Sequence, residues 1–141
     1  MMRQMLGTAV IALVLAACAG TQGMGAAGGA QPLANTSWVL TRMNGAAPAA
    51  GVTAPTLEFA TDRVSGNGGC NLFNGPFTQS GGTVDMGPLV STRRACADPA
   101  GNAQETAYLR ALDEATAAAV VDGMLELTTP AGTLRFRPAT G

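Results

Sequence analysis

The 141-residue sequence contains no histidine and no lysine. Without histidine it lacks the commonest general base, the commonest zinc ligand and the partner that activates a serine hydroxyl. Without lysine it cannot complete a Walker-type phosphate loop. Ser65, Ser80 and Ser91 are therefore left without a base for nucleophilic catalysis. Aromatic side chains are scarce: four Phe, one Tyr and one Trp. Charge is sparse as well, with eight arginines against nine acidic residues and a formal net charge of -1. Such a balance provides no broad basic field for nucleic acid or an anionic membrane surface. Arg93-Arg94 is the one basic doublet, far short of a binding stripe.

The long apolar run comes at the start, in MMRQMLGTAVIALVLAACAG. Arg3 precedes an apolar segment from Met5 to Leu15, followed by the small residues Ala16 and Ala17, which reads as a signal peptide over 1–17. The run is too short for a spanning helix with proper flanks. LAAC at 15–18 also resembles a bacterial lipobox, in which Cys18 becomes the lipidated first residue; the rival is an ordinary signal peptide with a stray cysteine. Acyl chains on Cys18 would anchor the protein to a membrane rather than thread it through one. Residue 19 is Ala, not Asp, which by the usual lipoprotein sorting rule favours the outer membrane, facing the periplasm, if the source is Gram-negative. Residues 18–32, mainly Ala and Gly with no charge, read as a flexible tether. The folded domain is expected over 33–138, enough for a single core.

With Cys18 lipidated, Cys70 and Cys96 remain as an even pair in an exported domain, which favours a disulfide. A reactive thiol pair is the competing reading, but a redox site usually shows CxxC spacing, and there is none.

Short alternating segments fill most of the domain. NTSWVLTRMNG (35–45) reads as a strand ending in an Asn44-Gly45 turn, and TLEFA (56–60) as another, with Leu57 and Phe59 inward. Cys70 to Phe77 is expected to be a strand interrupted at Asn74-Gly75-Pro76, followed by short strands in TQSGGTVDM and PLVSTR. DPAGNAQETAYLRALDEATAAA (98–119) carries a helical period, with Tyr108, Leu112, Ala115 and Ala119 on one face and Leu109 beside them. Its polar side is assigned Glu105, Arg110, Asp113 and Glu114; Asn102 with Glu105 resembles a capping box, and Asp98-Pro99 is an alternative start. VVDGMLELTT and GTLRFRP form a closing hairpin, placing Leu125 and Leu127 against Leu134 and Phe136, with Glu126, Arg135 and Arg137 outward. The expected fold is mainly β (α+β), a small antiparallel β-barrel or half-barrel with one packed α-helix.

SGNGGCNLFNGPF (65–77) invites comparison with a phosphate loop. Yet Asn71 stands where a third glycine is needed, and no helix follows to present its amides. Asp62, Asp85 and Asp98 could meet in space as a carboxylate hydrolase would require, but such residues more often form turns. Met43, Met86 and Met124 could line a ligand pocket, although filling core gaps is their commoner role. Glycines inside strands mark bulges and close backbone approaches, so the stretch reads as a disulfide-pinned corner whose Phe73 and Phe77 supply the core. No catalytic residue, metal site or cofactor is expected.

Several features together, WVL from Trp38, VSGNGGCNLFNGPF from Val64, TRRAC from Thr92, ETAYLRAL from Glu105 and GMLEL from Gly123, resemble the META domain, a group that includes HslJ-type heat-shock-inducible proteins. The resemblance implies a small barrel-like fold, a frequent lipoprotein anchor and a disulfide between Cys70 and Cys96. It marks Gly66, Gly69, Asn71, Phe73, Gly75 and Phe77 as structural motif residues. Phe77 stands where a tyrosine is usual, keeping the ring and losing the hydroxyl. The implied role is non-enzymatic, in envelope stress or antibiotic tolerance, through a small apolar ligand or an envelope protein. The alternatives are a carboxylate-based hydrolase and a purely structural envelope protein.

Overall fold

The computed structural model describes residues 30–140. The expectations for the signal peptide, for lipidation at Cys18 and for most of the tether lie outside the described residues. Among the described residues nine strands and one helix follow in the order β1 (Thr36–Met43), β2 (Thr56–Phe59), β3 (Arg63–Asn67), β4 (Leu72–Ser80), β5 (Thr83–Met86), β6 (Val90–Ser91), α1 (Pro99–Glu114), β7 (Ala117–Val121), β8 (Met124–Thr129) and β9 (Gly132–Pro138). All pairings are antiparallel and run β3-β2-β1-β9-β8-β7-β5-β4, with β4 pairing back onto β3, so the hydrogen-bonded order returns on itself. The ring is thinnest between β5 and β7, where Thr83 pairs with Ala117.

Alternation explains the strands. In β1, Trp38 and Leu40 are buried while Ser37 faces out, and in β2 Leu57 and Phe59 are buried around the exposed Glu58. The β8–β9 hairpin has the expected register, Leu125 opposite Phe136 and Leu127 opposite Leu134, and these four side chains are fully buried. Each such burial contributes about 1.5–3 kcal/mol against leaving the side chain in water. On the outer face Arg135 and Glu126, directly opposite, pair at 3.2 Å. The core joins Trp38, Phe59, Phe73, Phe77 and Phe136 to Tyr108 and Leu112 from α1, so the aromatic residues fill the space the strands enclose.

Two local expectations are corrected. The helix stops at Glu114, and Ala117–Ala119, expected as its last turn, instead open β7, which runs on through the Val120-Val121 already expected in the closing hairpin. Alanine favours helix, but β7 pairs along its whole length with β8 and supplies the link to β5. The return is a tight turn at Asp122-Gly123, both with positive φ (52° and 76°), as a two-residue primed hairpin turn requires. Helix continuation would leave β8 without that partner, so sheet pairing overrides local propensity.

β4 also runs unbroken through Asn74-Gly75-Pro76. β3 pairing ends at Pro76, β6 covers Phe73 and Asn74, and β5 begins at Phe77. Pro76 thus falls where one ladder hands over to the next, and its missing N–H is least costly there. A Cβ at Gly75 would stand 2.9 Å from the Pro88 carbonyl, so the crossing segment requires glycine.

Candidate functional site

The stretch 65–77 ends β3, turns, and opens β4 against the helix. A Cβ at Gly66 would run into the Thr56 carbonyl and lie 3.0 Å from the Phe73 ring, so β2 and β3 approach at a distance that glycine alone allows. The Asn67 carboxamide oxygen accepts from the Gly69 amide at 2.7 Å, and Gly69 adopts φ 120°. Gly68 lies against the Glu105 carboxylate, where a Cβ would stand 2.8 Å from Glu105 Cγ.

Leaving this turn, the backbone amides of Cys70 and Asn71 both donate to Glu105 Oε2, at 2.9 and 2.7 Å. Asn71 Nδ2 donates to Glu105 Oε1 at 2.6 Å. The same Nδ2 donates to the Arg94 carbonyl at 2.8 Å, while Asn71 Oδ1 accepts from the Arg94 amide and the Thr92 hydroxyl at 2.6 and 2.9 Å. Glu105 and Asn71 are only 7% and 5% exposed. One buried carboxylate–carboxamide pair therefore ties together the start of β4, the 92–94 segment and α1. The Cys70–Cys96 disulfide closes the corner beside it, with the Cα atoms 5.4 Å apart, and Asn102 Oδ1 accepts from the Cys96 amide.

Glu105 is where the sequence reading most needs correction. It is neither on the solvated side of α1 nor in a capping box. Asp98 caps the helix by accepting from the Ala100 amide, with Pro99 following, as the alternative start proposed. The signal was present: Glu105 lies seven residues before Leu112, two helical turns, which sets it over the same buried face.

Burial opposes ionisation of Glu105, but the hydrogen bonds from the Asn71 side chain and from the Asn71 and Cys70 amides outweigh it and hold its pKa below the ordinary carboxylate value. Because the folded pKa is lowered, the ionised clamp contributes stability above the unfolded value of about 4.3 and loses it as pH falls through the folded value. Urea unfolding at pH 7 and pH 3 should show this. The stability gap between wild type and Glu105→Gln is expected to be clear at pH 7 and to shrink at pH 3. A gap that does not change with pH would contradict an ionised clamp.

Tyr108 completes the buried layer. Its hydroxyl donates to the Thr56 carbonyl at 2.8 Å, and its ring meets Phe73 edge-on at 5.9 Å. Burial pushes its hydroxyl well above the usual phenol range. Phe77 packs on Phe59 at 4.7 Å. Asp62, Asp85 and Asp98 lie exposed on separate elements, with Asp62 and Asp85 on opposite sides of β4 and Asp98 engaged as the cap. Met86 is in the core, and Met43, half-buried, packs against the core while also edging a groove on the outside of the molecule. This groove, of about 840 Å³, runs along the outer face of α1 past Ala103, Ala107 and Ala111, with Ala131 across from them and Arg110 and Glu114 on its rim.

The arrangement is a disulfide-pinned corner clamped to a helix, and residues 31–140 match the META domain. The chain belongs to the META domain family. Two solved structures are similar to it. One, an NMR structure of a protein from Burkholderia xenovorans, is 32% identical, with a TM-score of 0.64 over 77% of this chain and 85% of that one. A second NMR structure is 28% identical, with a TM-score of 0.62 over 74% and 90%. A comparison with curated proteins returned no match. In this META domain the motif positions Gly66, Gly69, Asn71, Phe73, Gly75 and Phe77 make one continuous corner: the glycines allow close backbone approach or positive φ, Asn71 joins the clamp, and both phenylalanines enter the core.

Proposed function

We propose that this META domain is a non-enzymatic, lipid-anchored module of the bacterial cell envelope that docks an envelope protein along the outer groove of α1, in the service of stress tolerance. The observation that carries this reading is where space lies. Aromatic side chains fill the inside of the ring, while the groove of about 840 Å³ lies outside, on the helix. Its floor of exposed and half-buried alanines has the small side chains that let another chain approach closely, and its rim offers the Arg110–Glu114 pair.

The test places a photo-reactive residue at Ala107 in the full chain and irradiates intact envelopes, with Thr78, exposed on β4, as the control position. A discrete protein adduct at Ala107, absent at Thr78 and abolished by Ala103→Trp, is expected. Equal labelling at the two positions would contradict docking at the groove. A bound mass seen by native mass spectrometry that vanishes on denaturation would instead point to a small apolar ligand.

A further inference from the structure

Beside the clamp, the Sγ atoms of Cys70 and Cys96 and a carboxylate oxygen of Glu105 all lie within 4.8 Å of one another. We propose that, once the Cys70–Cys96 disulfide is reduced, the two thiolates and the Glu105 carboxylate form a binding site for a single zinc ion.

The chemistry of the donors fits that ion. Two thiolates and one carboxylate, with water in the fourth position, make a tetrahedral set of the kind zinc accepts. Thiolates also select zinc over magnesium and calcium, which prefer all-oxygen ligands. Zinc–sulfur bonds of about 2.3 Å place tetrahedral sulfurs about 3.8 Å apart, which the thiols reach by side-chain rotation once the S–S bond is cut. The Cα atoms, 5.4 Å apart, already stand at a distance that such a span bridges.

Glu105 has the remaining capacity. A carboxylate offers about four lone-pair positions, and three are taken: two on Oε2 by the Cys70 and Asn71 amides and one on Oε1 by Asn71 Nδ2. One position on Oε1 is therefore left for a metal. The three hydrogen bonds also orient the carboxylate, the role that outer partners play for metal ligands generally. Glycine leaves room on the sulfur side, because a Cβ at Gly101 would stand 3.4 Å from Cys96 Cβ and 3.6 Å from Cys70 Sγ. Both cysteines are only half-buried, so a reductant and an ion can reach them.

The gating step balances with a dithiol reductant. One thiolate of the dithiol attacks a cysteine sulfur and displaces the other as thiolate. The second thiolate of the dithiol then closes its own disulfide and releases the first cysteine. Two electrons pass to the protein, and zinc binding releases to solvent any protons the new thiols hold. In the oxidised protein both sulfurs are bonded to each other, so the site opens on reduction alone.

The full chain carrying Cys18→Ala keeps Cys70 and Cys96 as its only cysteines. It is reduced with a phosphine, confirmed folded by amide NMR, and titrated with Co2+ and then Zn2+. One equivalent of Co2+ is expected to bind with thiolate-to-metal charge-transfer bands and tetrahedral visible bands, and Zn2+ should displace it. Glu105→Gln should keep the sulfur bands and weaken binding by at least about 10-fold, since loss of even an outer partner of a ligand costs about that much. A folded, reduced chain that takes up no metal would overturn the proposal, as would a reduced chain that no longer folds, since the site needs the fold. Glu105→Gln binding as tightly as wild type would remove Glu105 from the site, and uptake by the oxidised chain would refute the gating.

Discussion

Replacing Glu105 with alanine is expected to lower the unfolding free energy by about 3–5 kcal/mol, because it removes the one carboxylate acceptor that three hydrogen bonds at the corner share. The substitution does more than shorten a side chain. It leaves the Cys70 and Asn71 amides and one Asn71 N–H in a buried setting without their acceptor. Each buried donor left unpaired costs about 1–3 kcal/mol. The Asn71 carboxamide keeps its bonds to Thr92 and Arg94, so the 92–94 segment is weakened less than the turn at 68–71. Domains of this size have about 5–15 kcal/mol in all, so Glu105→Ala should leave a marginal fold. Urea unfolding at pH 7 measures it, and a loss under about 1 kcal/mol would mean that water replaces the carboxylate at little cost.

The second large effect belongs to the disulfide. Cys70 and Cys96 close a loop with a sequence separation of 26. For that length the chain-entropy model gives about 3.5 kcal/mol of stabilisation. Cys70→Ser with Cys96→Ser should therefore lower the unfolding free energy of the oxidised protein by about that amount. Because Cys70 also donates its amide to Glu105, the disulfide and the carboxylate hold the same corner. Combining the serine pair with Glu105→Ala should cost less than the two losses added together, since residues in one network couple. Strict additivity would mean that the bond and the clamp act on separate parts of the chain.

The sequence reading succeeded where the determinant was local. The β8–β9 register follows from alternating residues on both strands, and the turn at Asn44-Gly45 follows from residues that tolerate positive φ. Gly66 and Gly69 were legible as backbone requirements for the same reason. Long-range partners were harder to see. Ala117–Ala119 reads as helix until β8 and β5 are beside it. Glu105 reads as solvated because a charged residue usually is. Its partners, the Cys70 and Asn71 amides, lie 35 and 34 positions away, and nothing in the local pattern of α1 points to them. Asn71 was marked by its place in the motif, but its bonds to Thr92 and Arg94 depend on how 92–94 folds back over β4.

The central structural claim is that the glycine-rich corner is a rigid clamp and not a mobile ligand loop. Amide hydrogen exchange of Cys70 and Asn71 in the oxidised protein tests it most directly. Both amides should exchange as slowly as those of Leu125 and Leu127 in the core, requiring near-global unfolding to open, and Glu105→Gln should speed both. Exchange of the two amides through fast local opening, unchanged by Glu105→Gln, would contradict the clamp.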